Sequence, residues 1–309
     1  MKRFIIIMSV FCCLCAGILL IPISIYEYKA HRNEFIGPYF SINNVYHSDN
    51  SNAQIVIMGN SRADEHYDTD LISDSLGMTC FNIGCHGYPI EFQYHIMFNA
   101  YMNRNTAPEY IILDVSPFCM FEYHTPRHSF EFLPYMSRKE FSYYIDTCKV
   151  FKPYDRFLLP KYAGLVDRVF KGIKSLNKMP APKSEEYQTD FILTQSMELE
   201  RDSDNIHALH AWIDDCVSRG IKPVLICSPM HHDHYREFID MEGFWSIVNN
   251  AVNGRDIPVL SYENLYGSDT RYFHDLLHLN KYGRHHFSMK LAHDLDSLGI
   301  IPSQKKKTT

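Results

Sequence analysis

From Phe4 to Ile25 the chain carries no charged residue. Roughly 20 apolar residues are what an α-helix needs to cross the hydrocarbon core of a bilayer. The front of the chain therefore reads as either a membrane-spanning helix or a secretion signal. Lys2 and Arg3 precede the run, as in the basic start of a signal sequence. A cleavable signal has a shorter apolar stretch and a small-x-small exit. Here the exit is Ile23-Ser24-Ile25-Tyr26-Glu27-Tyr28, a poor peptidase site, and Cys15 follows Cys13-Leu14 rather than the small residues of a lipid-attachment signal. A signal anchor is preferred, with residues 1–26 as the anchor and 27–53 as a stalk rich in Asn, Ser and Tyr. Lys2 and Arg3 are matched by Lys29 and Arg32 beyond the span, so the positive-inside rule is tied. The short tail with its own amino charge favours the N-terminus inside and the body outside the cytoplasm.

The rest of the composition excludes several classes. Thirty Lys and Arg against 36 Asp and Glu leave no basic excess, so the electrostatic footprint of a nucleic-acid binder is missing. At 46% hydrophobic and 14% aromatic the chain has too much apolar content for disorder. Outside the span, Cys80, Cys85, Cys119, Cys148, Cys216 and Cys227 show no CxxC and no regular spacing, so buried free thiols are expected.

After the stalk, short apolar runs alternate with helical patterns. Residues 54–58, 79–83, 110–115, 223–227 and 257–261 read as strands. Residues 68–76, 90–103, 204–219, 235–250 and 282–298 read as helices, with Gly77 and Gly220 as stops and Pro89 at a first turn. This alternation predicts an α/β fold with a parallel sheet covered on both faces, occupying residues 54–309. Residues from 118 to about 200 break the pattern and are read as a partly helical insertion.

Ligands of such sheets sit at the carboxyl ends of the strands. Those ends carry Gly59-Asn60-Ser61-Arg62, Asn82-Ile83-Gly84-Cys85-His86-Gly87 and Asp114-Val115-Ser116-Pro117, and Asp275-Leu276-Leu277-His278-Leu279-Asn280 precedes the last helix. A serine attacks only when a base takes its proton, and the base needs a partner to orient it. Ser61 is the candidate nucleophile, His278 its base, and Asp275 the group that holds the imidazole. Glycine amides of the second loop are candidates for stabilising an oxyanion.

These blocks resemble the SGNH or GDSL-like hydrolases. Gly59-Asn60-Ser61 matches their Gly-Asp-Ser, Asn82 to Gly87 matches Asn-x-Gly-x-x-Gly, and Asp275 to His278 matches Asp-x-x-His, followed here by Asn280 and Gly283. The likeness covers about residues 54–117 and 222–298. It implies a flavodoxin-like three-layer sandwich around a five-stranded parallel sheet. It also implies an acyl-serine mechanism without cofactor or metal, with an oxyanion hole from Ser61, Gly87 and, in place of the family's third-block Asn, Ser116. The Ser-Pro after the third strand and the anchor look like the membrane-anchored D-alanyl transfer proteins and periplasmic polysaccharide O-acetyltransferases. That likeness implies an acyl-ester or glycan substrate and a multi-span acyl-donor partner in the membrane.

Competing readings are weaker. In Gly59-Asn60-Ser61-Arg62-Ala63 the serine follows the first strand of the body, against an α/β-hydrolase elbow. His231-His232-Asp233-His234 lacks helix-spaced ligands with a glutamate, so a polar loop is preferred to a metal site. His285 and His286 are expected as ordinary residues of the last helix.

Overall fold

The computed structural model describes residues 1–31, 38–47, 52–120, 133–141, 157–165, 204–232 and 240–305, with 167, 169, 170 and 173. Most of the expected insertion, the Asp233-His234 pair, Cys148 and the start of the expected helix at 235 lie outside these residues. Two compact units emerge: Met1–Asn43 with His128–Pro182, and Asn44–Arg127 with Lys183–Thr309.

The first unit is organised by α1 (Lys2–Ala30), the one helix among the described residues long and apolar enough to cross a membrane. At 1.5 Å per residue its 29 residues extend about 44 Å, against a bilayer core of roughly 30 Å. The side chains divide accordingly. Phe4, Ile7, Ile18 and Ile21 are exposed, whereas Pro22, Ile23, Tyr26 and Ala30 are buried within this unit. The helix thus continues four residues past the boundary expected at 26, because its last turns find partners. Glu27 Oε1 lies 2.5 Å from Lys161 Nζ and 3.2 Å from the Tyr162 hydroxyl. The Ala30 carbonyl, which has no partner inside the helix, accepts from the Asn43 amide and lies 2.9 Å from the Tyr135 hydroxyl. Within the expected stalk, Pro38–His47 forms a second helix, α2.

The second unit holds the sheet. Its strands are β1 (Ile55–Gly59), β2 (Cys80–Asn82), β3 (Tyr110–Asp114), β4 (Lys222–Cys227) and β5 (Val259–Ser261). All neighbours are parallel, in the order β2-β1-β3-β4-β5. Every residue of β1 and β3 is buried, which is why these strands read as unbroken apolar runs. Successive side chains point to opposite faces. Ile55, Ile57, Ile112, Val224 and Ile226 meet Ile72 and Leu76 of α4 (Thr69–Leu76) and Phe287, Leu291 and Leu295 of the last helix, Lys281–Ser297. The alternate residues Val56, Met58, Ile111, Leu113 and Leu225 are equally buried, with the helical run from Ile90 to Met102 and the helix Asp204–Ser218 packed against the sheet. The result is a three-layer α/β sandwich. Each fully buried Ile or Leu contributes about 1.5–3 kcal/mol, so the central strands anchor the unit.

Capping chemistry sets several boundaries. Asp68 accepts from the Leu71 amide to open α4, and Gly77 closes it at φ +67°. Asn280 accepts from the Gly283 amide to open the last helix. Two features differ from the sequence reading. A short helix, α3 (Ser61–His66), begins directly at the strand end. The run after Pro89 is interrupted by a π-helical stretch, Gln93–Phe98, whose extra residue per turn the hydrophobic spacing does not reveal. Among the described residues no cysteine forms a disulfide, and Cys85, Cys119, Cys216 and Cys227 are buried.

Because the chain goes from β1 out to β2 and back across to β3, the topological switch point lies between β1 and β3. That is where a doubly wound sheet opens a crevice at its carboxyl edge. Gly59 pairs with Asp114 at that edge, setting Ser61 and Ser116 at neighbouring strand ends.

Candidate active site

The turn after β1 depends on Gly59. Its φ is +148°, and a Cβ there would lie 2.9 Å from both the Ala63 Cβ and the Asp114 carbonyl oxygen. Asn60 then caps α3, its Oδ1 accepting from the Arg62 amide at 3.0 Å. This makes Ser61 the first helical residue, with an amide that has no intrahelical acceptor.

Ser61 Oγ lies 2.8 Å from His278 Nε2. The other ring nitrogen, Nδ1, lies 2.9 Å and 3.0 Å from the two Asp275 carboxylate oxygens. An ionised carboxylate only accepts, so Nδ1 carries the proton and Nε2 is left to accept from the serine hydroxyl. Asp275 is fixed by its own loop: Oδ1 accepts from the Leu277 amide at 2.7 Å and the His278 amide at 2.8 Å. Burial works against its charge but is outweighed by the bond from His278, the electrostatic pull of that ring, the Leu277 amide and His274. The carboxyl therefore stays below its ordinary value. Ser61, His278 and Asp275, the first more than 200 positions from the other two, form one hydrogen-bonded chain.

The expected oxyanion donors divide. The Ser61 and Gly87 amides donate to no acceptor among the described residues. Gly87 is at φ +83°, in the turn that stacks His86 on His278 with ring centroids 5.6 Å apart. Ser116 is different. It is fully buried, its Oγ 3.4 Å from Asn60 Nδ2 and 3.5 Å from Cys119 Sγ. A hydroxyl sealed from solvent cannot reach a substrate oxygen, so Ser116 supports the Asn60 cap instead of completing the hole.

Beneath the triad lies a polar layer that the sequence did not reveal. Arg62, 1% exposed, donates from Nη2 to Ser228 Oγ at 2.9 Å and from Nε at 3.2 Å, and bonds the Ser228 carbonyl. Its Nε is 3.8 Å from Asp114 Oδ1, and Tyr67 donates to Asp114 Oδ2 at 2.8 Å. Burial pushes the Asp114 carboxyl up, against the opposing pull of Arg62 and the polar neighbours Ser228 and Tyr67. His66 accepts the Leu279 amide at Nε2, 3.1 Å away, which puts its proton on Nδ1, 2.8 Å from Ser228 Oγ. Burial, then the Arg62 charge, then His278 hold His66 well below its ordinary value, so it stays neutral. The signal for this layer was Asp114 itself: a charge ending an apolar strand must find a partner once buried. Which partner was not legible.

His231 is buried with its ring against Phe273. His285 is exposed on the last helix, and His286 packs on Tyr282.

No protein-family profile and no curated protein matches the sequence. Among solved structures, the chain is similar to a protein of Bacteroides fragilis provisionally described as an acylhydrolase. The identity is 13% and the TM-score 0.35, over 80% of this chain and 88% of that one. It is also similar to an acetyl xylan esterase from the rumen bacterium Butyrivibrio proteoclasticus, at 10% identity and a TM-score of 0.40. That match covers 79% of this chain and 64% of the esterase.

Proposed function

We propose that the chain is a serine esterase or acyltransferase of the SGNH type. The observation that carries this reading is the continuous Ser61–His278–Asp275 hydrogen-bond chain at the switch-point edge. Ser61 Oγ attacks an acyl carbonyl while His278 Nε2 takes its proton. Asp275 stabilises the imidazolium through Nδ1, and the Ser61 and Gly87 amides receive the developing oxyanion. His278 returns the proton to the leaving oxygen, giving an acyl-serine ester. Water then completes a hydrolysis, whereas a sugar hydroxyl completes a transfer.

The N-terminal helix is read as a retained anchor with the site on the extracytoplasmic side. In support, Ile23 and Tyr26 are buried and Tyr26 packs edge-on against Tyr162, with ring centroids 6.0 Å apart, contacts that removal of residues 1–26 would lose. An anchored acyl-serine enzyme suits acyl esters of cell-envelope polysaccharide, with a multi-span membrane protein as acyl donor in the transferase case. A fluorophosphonate probe tests the chemistry: full-length protein is expected to label, and Ser61→Ala to lose the label. Folded wild-type protein that stays unlabelled refutes the catalytic reading and favours a binding or assembly role for the same fold. Mass spectrometry of membrane-extracted protein is expected to find residues 1–26 in place. Acetyl content of envelope glycans, compared between wild type and Ser61→Ala, tests the substrate class.

A further inference from the structure

His278 is shared by two clusters of potential ligands beyond its hydrogen bonds. Glu65, His86 and His278 each offer a ligating atom within 4.8 Å of the others, and so do His274, Asp275 and His278. The second set is already committed, because Asp275 takes two loop amides as well as the ring, and His274 Nδ1 lies 3.3 Å from the His278 carbonyl. In the first, Glu65 Oε2 lies 4.0 Å from His274 Nε2, and Oε1 is the atom that faces His86. Glu65 sits one turn after Ser61 on α3, so both face the same way. The His86 side chain is 45% exposed, giving an ion a path from solvent.

One ligand pair already stands at the spacing of a tetrahedral ion, and the third donor lies within 4.8 Å of both. With metal–ligand bonds of about 2.0–2.2 Å, neighbouring ligand atoms stand roughly 3.3 Å apart. His86 Nδ1 is 3.3 Å from Glu65 Oε1. Nδ1 of His278 belongs to Asp275, leaving Nε2, the atom that faces Ser61, as the third donor. Two imidazoles and one carboxylate, with a fourth position open to water, form a donor set that suits zinc rather than magnesium or calcium.

We propose that Glu65, His86 and His278 bind a zinc-class divalent ion, and that the bound ion switches the enzyme off by withdrawing Nε2 from Ser61. Ser61 then keeps its proton and cannot attack, and removing the ion restores the triad. Binding is independent of the catalytic reading, whereas the inhibitory consequence rests on it.

Cobalt(II) is the optical probe, added to full-length detergent-solubilised protein in the wild-type and Ser61→Ala forms. The expected result is a strong visible band of four-coordinate cobalt that saturates at one equivalent. Apparent affinity is expected to fall at least about 10-fold in His86→Ala, whose side chain is largely at the surface, and in Glu65→Gln. Zinc chloride is expected to inhibit ester turnover and a chelator to restore it. His86→Ala should need at least about 10-fold more zinc for half inhibition, measured against its own zinc-free rate. Six-coordinate cobalt, or affinity unchanged in both variants, overturns the site. A cobalt band in protein with no ester turnover keeps the site and removes the catalytic reading. Turnover indifferent to millimolar zinc overturns the switch.

Discussion

Replacing His66 by phenylalanine asks whether the buried layer beneath the triad sets its geometry. His66 is fully buried, accepting the Leu279 amide at 3.1 Å and donating to Ser228 Oγ at 2.8 Å. Phenylalanine keeps the ring and deletes both bonds. Ser228 Oγ retains Arg62 at 2.9 and 3.2 Å, so the hydroxyl is not orphaned. The Leu279 amide is, on a residue only 3% exposed, and an unsatisfied buried donor costs about 1–3 kcal/mol. Urea unfolding at neutral pH should show that loss, with His66→Gln recovering part of it because its side-chain oxygen can again accept from Leu279. Leu279 follows His278, so relaxation of this loop moves Nε2 relative to Ser61. A displacement of about 1 Å lowers kcat by about 100-fold with little change in KM. The pH dependence supplies a further check. His66 is held below its ordinary value of 6.5, by burial first and then by Arg62 and His278. As pH falls below 6.5 the unfolded chain takes up this proton before the folded one, so stability is lost toward acid, by at most about 1.4 kcal/mol per pH unit. The wild-type minus His66→Phe stability difference should shrink with that slope. A variant with the wild-type urea midpoint, kcat and pH slope refutes the argument.

Asp275→Asn should lower ester turnover by about 10³- to 10⁴-fold, since the amide no longer fixes the productive tautomer. Wild-type turnover would contradict the assigned role. The same variant should also lose a stability contribution. Asp275 is held below its ordinary value of 3.8, so its contribution is present above 3.8 and is lost as pH falls through the folded value, and acid titration of the unfolding midpoint reads the difference. Gly59→Ala should cost more than about 3 kcal/mol, because the new Cβ meets backbone and a short side chain at 2.9 Å with nothing flexible to yield. A melting temperature near that of wild type would contradict it. Gly87→Ala meets nothing within 4 Å, so only left-handed backbone strain, about 1–2 kcal/mol, applies to stability. Alanine keeps the backbone N–H, so the oxyanion donor itself is retained, and a urea midpoint unchanged from wild type would contradict the cost of the left-handed turn.

Much of the scaffold was legible before any coordinates. β1 and β3 are buried on both faces, and a strand buried on both faces leaves an unbroken apolar run in sequence. Ser61 and the Asp275–His278 pair were legible because short motifs at strand ends depend on local spacing: the loop of Asp275 needs only the next three residues to build its hydrogen bonds. The π-helical stretch at Gln93–Phe98 and the early start of α3 were not, since neither alters the hydrophobic period enough to show.

From Phe4 to Ile25 the sequence alone settles that a long apolar helix must form, because its side chains have no use for water. It settles equally that the body alternates strand and helix, because burial on two faces imposes composition. What only the tertiary structure decides is where polar groups find one another. Ser116, placed at the site by position in the chain, is sealed beneath Asn60. Arg62 and His66 of α3, Asp114 at the end of β3 and Ser228 after β4 meet under the nucleophile. Apolar burial is non-directional and leaves a periodic trace, whereas a hydrogen bond across the fold depends on two distant residues arriving at one point.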